Sequence, residues 1–415
     1  MKVTSQTKNA KETQTPLAKL WVVSEVFYPE ETSTGYYLTE IAEGLSTDFD
    51  VKVLCGQPNY SIRGTRAPKK ESHEGVEIFR AAGTTLNKNV IIFRLINMLT
   101  LGVSMFFHGL KRFRRGDNVL VVTTPPSMPF IVALTSLLKG ATYNLLIHDL
   151  YPQVLVAVGK ARSDSAVVKV IEFFNRWLYK HAKAIIVVGR DMKQLVQAKS
   201  SGFDVPISVI PNWAELEDVR PQSRDNNQLI RELGLQNKIV ILHAGNIGYP
   251  TDVETIIKSL SDLDDSFHFV FIGAGVKRRL IEAAISEKTL RNLTLLDSRP
   301  REEQTAFLNA CDIGLVSLVE GMYGSAMPSK TYNLMAAGKP VLAITDAGSE
   351  LAQVIEEEGI GWHVRPGDVE GFVNKLKEIS LERSKFQEMG QRARRAAETT
   401  YSISDALEKY KRALK

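Results

Sequence analysis

The chain alternates short, continuously apolar runs with longer stretches whose apolar residues recur every three or four positions. Leu20-Trp21-Val22-Val23, Val51-Lys52-Val53-Leu54-Cys55, Val119-Leu120-Val121-Val122, Tyr143-Asn144-Leu145-Leu146-Ile147 and Ala184-Ile185-Ile186-Val187-Val188 are runs of the first kind. Runs this short, with apolar residues at successive positions, predict strands of a parallel sheet covered on both faces. Helical spacing shows between them, as in Leu38, Ile41, Ala42 and Leu45. The alternation begins again further on, with strands expected at 239–243, 267–272, 293–296, 313–316, 341–344 and 361–364.

A chain of 415 residues exceeds one ordinary core, so the pattern predicts two α/β, Rossmann-like domains. Residues 1–17 are polar, lack the apolar core of a signal peptide, and read as a disordered lead-in. The first domain is expected over 18–205 and the second over 206–395. A final helical segment, 396–415, is expected to pack back on the first domain. Val205-Pro206-Ile207-Ser208-Val209-Ile210-Pro211, with two prolines around a short strand, reads as the hinge.

Residues 90–115 depart from this pattern. Arg94, Asn97, Thr100, Ser104, His108, Lys111, Arg112 and Arg115 fall on one helical stripe, and the remainder up to Phe113 is apolar or glycine. A spanning helix would carry such a stripe only where it lined a bundle or cavity. Two readings stay open: a helix buried against the sheet, or an interfacial helix whose Lys111-Arg112-Phe113-Arg114-Arg115 end meets anionic lipid.

Composition narrows the chemistry. A net charge of +5 is too weak to argue for nucleic acid. Cys55 and Cys311 lie far apart, show no metal-ligand spacing, and read as buried free thiols of a reducing cytoplasm. Glycines mark the loops where strands hand over to helices. Ala244-Gly245-Asn246-Ile247-Gly248 follows an apolar run, and Pro328-Ser329-Lys330 opens a helix that closes at Gly338-Lys339-Pro340. Such loops turn backbone N–H groups toward an anion, so a nucleotide or phosphate is the expected ligand.

Several ordered blocks together resemble the GT-B glycosyltransferases of family 4, within them the bacterial fucosamine-transferase-like branch that builds O-antigen, capsule and exopolysaccharide. The blocks are Phe27-Tyr28-Pro29 through Gly35, His148-Asp149-Leu150-Tyr151-Pro152, Ile210-Pro211-Asn212-Trp213, Gly245 through Gly248, Phe271-Ile272-Gly273-Ala274-Gly275, and Pro328 through Pro340. The resemblance implies a GT-B architecture with a deep interdomain cleft. It implies a retaining transferase that takes a sugar from a nucleoside diphosphate, UDP being the expected carrier, without a metal or other cofactor. The acceptor would be a lipid-linked or other membrane-proximal glycan. The enzyme would be cytoplasmic, with peripheral membrane contact through 90–115. By the same resemblance His148 and Asp149 are catalytic. Gly35, Asn212, Gly245, Asn246, Gly248, Glu320, Ser329, Lys330 and Asn333 bind the donor. The loops around Asn59 to Lys70 and at Asn87 are expected to select the acceptor.

The chain departs from the family pattern at the donor side. That pattern has an Arg where Asn246 stands and a Lys near Thr251, both reaching phosphate. It has two glutamates where Ser325 and Asn333 stand; Glu320 is the candidate replacement for the first. Thr251-Asp252-Val253-Glu254 reads instead as a capping box, whose carboxylates would repel a diphosphate. Lys330 is therefore the favoured phosphate contact, ahead of Arg299, Lys277 and Arg278. His243 ends a strand and reads as structural. The departures keep two alternatives open, a non-catalytic partner subunit and an NAD-type oxidoreductase or epimerase, the latter disfavoured because neither half carries a full Gly-x-Gly-x-x-Gly fingerprint.

Overall fold

A computed structural model describes residues 17–58, 66–86, 90–288 and 290–415. The lead-in up to residue 16 and the loop positions 59–65 and 87 lie outside the described residues. The first sheet contains β1 (Lys19–Val23), β2 (Asp50–Cys55), β3 (Lys70–His73), β4 (Val76–Arg80), β5 (Asn118–Val122), β6 (Thr142–Ile147), β7 (Ala184–Val187) and β8 (Ile207–Val209). Their spatial order is β3-β4-β2-β1-β5-β6-β7-β8. All neighbours are parallel except the β3–β4 hairpin.

The second sheet holds β9 (Ile239–Ala244), β10 (Phe267–Ile272), β11 (Leu293–Leu296), β12 (Ile313–Ser317), β13 (Val341–Ile344) and β14 (Gly361–Val364). Its order is β11-β10-β9-β12-β13-β14, parallel throughout. In both sheets the order reverses beside the first strand, between β1 and β5 and between β9 and β12. The carboxyl ends of strands at such a reversal open a crevice.

The doubly covered strands stand where the apolar runs predict them, because only a strand buried on both faces needs apolar residues at every position. The β3–β4 hairpin is an addition. Its sequence Lys70-Glu71-Ser72-His73 is charged and half-exposed, as edge strands are, and so carries no apolar run. The turn places Glu74 and Gly75 at φ 44° and 79°. Strand β8, read as part of the hinge, pairs with β7 and extends the first sheet.

The final helix, Ile403–Leu414, lies against the first domain. Ala406, Tyr410 and Leu414 are buried in a core shared with Tyr37, Leu38 and Ile41 of helix Ser33–Gly44. Asn118 Nδ2 donates to the Leu414 carbonyl at 2.6 Å, and Lys411 pairs with Asp48 at 2.7 Å. The two halves also meet beside the cleft. Asp191, buried in the first half, accepts from the backbone N–H of Gly324 and of Glu350, both at 2.9 Å. A buried carboxylate with two N–H donors is a charge-assisted clamp.

Helix Ile91–Arg112 packs beside helix Met128–Lys139, with Leu101 and Met105 in the core. Its polar stripe turns partly inward. Asn97 is buried, accepts from Leu86 N at 3.0 Å and donates to Leu86 O at 2.9 Å, while Thr84 Oγ1 donates to Asn97 Oδ1 at 2.8 Å. The solvent side is apolar instead: Ile92, Leu95, Leu99, Val103 and Phe107 are all exposed. The helix is long and apolar enough to cross a membrane by length and composition alone.

Candidate active site

Loops from both sheets surround a cavity of about 790 Å³, joined to a second lobe of about 780 Å³. The first half contributes Thr32, Ser33, Tyr36, Tyr37 and Asp149. The second half contributes Gly245, Asn246, Arg301, Ser329, Lys330 and Asn333. Ser33 Oγ and Ser329 Oγ share a hydrogen bond of 2.9 Å across the cleft. The backbone of 149–150 also bridges to the opposite wall, with Leu150 N donating to Ser325 O at 2.9 Å.

The glycine loop after β9 has the geometry of a phosphate cradle. Gly245 has φ +128°, and a Cβ placed there would stand 3.6 Å from Lys330 Nζ. Gly273, at φ +153°, lies behind it; a Cβ there would come within 1.9 Å of the Gly245 carbonyl oxygen. Only glycine permits that approach. Gly273→Ala is therefore expected to push the Gly245 loop into the cavity. Titration calorimetry should record UDP binding weakened at least about tenfold, roughly 1.4 kcal/mol, with the circular dichroism of the fold retained.

Lys330 opens helix Lys330–Ala336, whose seven residues provide only a short dipole, so the ammonium itself is the main positive charge. Its Nζ lies 3.0 Å from His243 Nε2. Burial pushes the Lys330 ammonium down to about 7, although the residue keeps part of its surface open to the cavity. His243 is fully buried in β9; burial, then the adjacent Lys330, hold it well below the usual imidazole range. A neutral imidazole accepts the lysine's hydrogen bond at Nε2 and so fixes where Nζ points.

A second polar cluster lies on the cavity wall. Glu215 Oε1 pairs with Arg301 Nη2 at 2.6 Å and accepts from Asn333 Nδ2 at 2.5 Å. Asn333 Oδ1 accepts from the Glu215 backbone N–H at 3.3 Å, so its amide grips Glu215 twice. Arg301 also lies 3.7 Å from the Tyr36 ring centroid, which ties the second half to the first. Glu215 Oε2 is buried and has no hydrogen-bond partner. Burial raises the Glu215 carboxyl above its usual range, opposed by Arg301 and by the Asn333 hydrogen bond.

The residues singled out in the sequence distribute unevenly. Asp149, Gly245, Asn246, Ser329, Lys330 and Asn333 line the cavity. Gly35 does not; it lets helix Ser33–Gly44 approach the Glu30 carbonyl oxygen, 2.6 Å from where a Cβ would stand. Asn212 and Gly248 are buried outside the lining, and Glu320 is exposed and outside it. His148 lies next to the lining residue Asp149, with Nε2 buried and without a partner. Burial lowers His148 to about 4 and raises Asp149 to about 6.

The capping box takes a different form from the one expected. Asp252, not Thr251, caps the helix at Glu254–Ser259: it accepts from Thr255 N at 3.0 Å and Thr255 Oγ1 at 2.6 Å. Its charge is thereby turned to the helix and to Gly367 N, away from the cavity. Glu254 pairs with Lys277 at 2.9 Å. Arg278 donates to the Gly273 and Leu296 carbonyls. Those two cations hold loops in place, while Arg299 lines the second lobe. Reasoning from the sequence passed over Glu215, Arg301 and His243. His243 alone carried a signal, its position at a strand end beside glycine.

Two family models match the chain. One, described as glycosyl transferase 4-like domain, covers residues 33–213; the other, glycosyl transferases group 1, covers 225–396. The probable glycosyltransferase WbjE of Pseudomonas aeruginosa is 30% identical over 397 residues, 95% of this chain and 97% of that protein. The putative colanic acid biosynthesis glycosyl transferase WcaI of Escherichia coli K12 is 25% identical over 376 residues, 88% of this chain and 92% of that protein. Among solved structures, sucrose-phosphate synthase from Thermosynechococcus elongatus superposes with a TM-score of 0.75 at 14% identity, covering 95% of this chain and 98% of that one. HepE of Anabaena in complex with UDP does so with a TM-score of 0.70 at 14% identity, covering 95% and 99%. The structural likenesses speak to the fold, and the end-to-end relative speaks to the family: the chain belongs to the GT-B glycosyltransferases of the family 4 type.

Proposed function

We propose that this protein is a retaining transferase that moves a sugar from UDP to a lipid-linked or otherwise membrane-proximal glycan during cell-surface polysaccharide synthesis. The observation that carries this reading is Lys330, an ammonium facing the glycine loop whose hydrogen-bond partner is a neutral imidazole rather than a carboxylate. A cation so placed is ready for an anionic ligand. The names of WbjE and WcaI support the polysaccharide context, and the UDP complex of HepE supports the carrier.

In this reading the diphosphate lies along the Gly245 loop with Lys330 beside its leaving oxygen. The bond from the sugar C1 to that oxygen breaks, and negative charge builds there. Lys330 and the loop N–H groups stabilise it, the kind of preorganised electrostatics that lowers barriers most. The acceptor oxygen attacks C1 from the same face and its proton passes to the departing phosphate. Asp149 faces the acceptor side, and neutral His148 offers a hydrogen bond rather than a charge. Glu215, gripped by Asn333, supplies toward a donor hydroxyl the carboxylate that position 333 itself lacks. No metal is required, because Lys330 carries the counter-charge.

A thermal-shift panel with UDP, GDP, ADP and dTDP tests the reading. UDP is expected to raise the melting temperature, since a ligand that binds only the folded state stabilises it. EDTA should leave both the shift and turnover unchanged. No shift with any nucleoside diphosphate at millimolar concentration would replace this reading by that of a non-catalytic partner subunit.

A further inference from the structure

The first domain carries an apolar outer surface that the cleft does not use. On helix Ile91–Arg112 the exposed Ile92, Leu95, Leu99, Val103 and Phe107 recur every three or four residues, opposite the buried Leu101 and Met105. Helix Met128–Lys139 adds exposed Leu134, Leu137 and Leu138. Helix Ala166–His181 adds exposed Val167, Val170, Phe173 and Phe174. Leu99, Phe107 and Phe173 are 68%, 63% and 71% exposed, which is unusual for large apolar side chains.

These are one surface, not three. The first two helices touch closely at Gly102, where a Cβ would stand 2.6 Å from Ile131 Cδ1. The second and third meet through Phe130 and Phe174, ring centroids 6.3 Å apart. The buried sides of all three feed the same core beneath the first sheet, so their opposite sides face outward together. Contiguous apolar surface of this kind on a soluble protein marks a place of contact.

Charge identifies the occupant. The three helices contain seven Lys or Arg and a single acid, Glu172, which is already paired with Lys199 at 2.7 Å. The whole chain has a net charge of only +5, so its basic excess is concentrated here. Exposed Arg114 and Arg115 follow directly. We propose that this three-helix face docks on an anionic lipid bilayer, its apolar side chains entering the interface and its cations meeting the headgroups. Apolar residues bordered by cations with almost no acid match the layering of such a bilayer. A second copy of the chain would bring like charges together.

The docking also orients the cleft. The N-terminal end of helix Ile91–Arg112 approaches the 149–152 block, where Arg94 acts electrostatically on Tyr151. Asn175 of the third helix donates to the Tyr151 carbonyl at 2.7 Å. Asp149, two residues earlier, lines the cavity. A lipid-linked acceptor would reach Asp149 without leaving the bilayer; that consequence rests on the transferase reading, whereas docking itself does not.

Flotation of the full chain with phosphatidylcholine vesicles, with and without phosphatidylglycerol, tests the proposal. Co-flotation is expected with phosphatidylglycerol at low salt, with loss at high salt and release by alkaline carbonate. Leu99→Ser/Phe107→Ser/Phe173→Ser should abolish co-flotation while leaving the UDP-induced thermal shift unchanged. Lys111→Glu/Lys180→Glu should weaken partitioning at least about tenfold, since each basic residue near such a surface is worth roughly fivefold. No co-flotation at low salt, equal binding to both vesicle types, or retention through carbonate would overturn it. So would a stable dimer dissolved by the serine substitutions. A protein that floats but ignores UDP refutes the proposed function and leaves this inference standing.

Discussion

Lys330→Met is expected to lower kcat/KM for the nucleotide sugar by about 10²- to 10³-fold, the cost of removing one preorganised stabiliser of a developing oxyanion. Methionine keeps the length and apolar stem while removing the charge, so the fold should survive. The same variant should lose most of the UDP-induced thermal shift. A pH series adds an independent check. In the ligand-free protein burial holds the Lys330 ammonium at about 7, and a bound diphosphate favours its charged form and raises it. Binding above pH 7 therefore takes up a proton. The dissociation constant for UDP should rise about tenfold per pH unit between 7 and 9 in the wild type, and stay nearly flat in Lys330→Met. The sign for stability follows from the same depressed value. The unfolded chain holds that proton more tightly, so Lys330 makes the ligand-free protein more stable as pH rises from 7 toward 10. Equal UDP affinity at pH 7 and pH 9 would refute the assignment of Lys330 as the phosphate contact.

Glu215→Ala should have the second-largest effect. It strands Arg301 and half the hydrogen bonds of Asn333 at once. Breaking a buried pair costs about 3–5 kcal/mol, and the partial exposure of Arg301 reduces that to roughly 2–3 kcal/mol here. The melting temperature should fall by several degrees. Glu215→Gln separates the two roles of this residue. Its amide oxygen still accepts from Arg301 and Asn333, so most of the melting temperature should return. Its lost charge should still leave UDP about tenfold weaker, the usual margin for a hydrogen bond to a charged acceptor. If Gln restored both stability and affinity, Glu215 would be a positioning residue alone.

These two predictions divide along what could be read from the sequence. Lys330 was legible because its surroundings are local: Pro328, Ser329 and a glycine-ended helix stand beside it in the chain. Glu215 was not. It follows Trp213-Ala214 in a connecting segment, and its meaning comes from Asn333 and Arg301, each far away in sequence. Asn333 read as a weakened substitute for a carboxylate; in the fold it holds a carboxylate brought from elsewhere. Glu320 looked like the replacement because it was near in sequence, yet it is exposed and outside the cavity. His243 read as structural, and its contact with Lys330 required β9 and the helix after Pro328 to meet.

The long helix at 91–112 teaches the same lesson with faces instead of sites. Its periodicity was visible, but periodicity states only that two sides differ. Which side meets water depends on the Leu86 loop that pairs with Asn97 and on the helices beside it. By itself the sequence determined the two parallel sheets, the glycine loops, Lys330 and the family resemblance, since each rests on neighbours along the chain or on short-period patterns. The tertiary structure alone decided the Glu215–Asn333–Arg301 cluster, the partner of Lys330 and the outward apolar face. Those are contacts between segments that nothing but the packing of the sheets brings together.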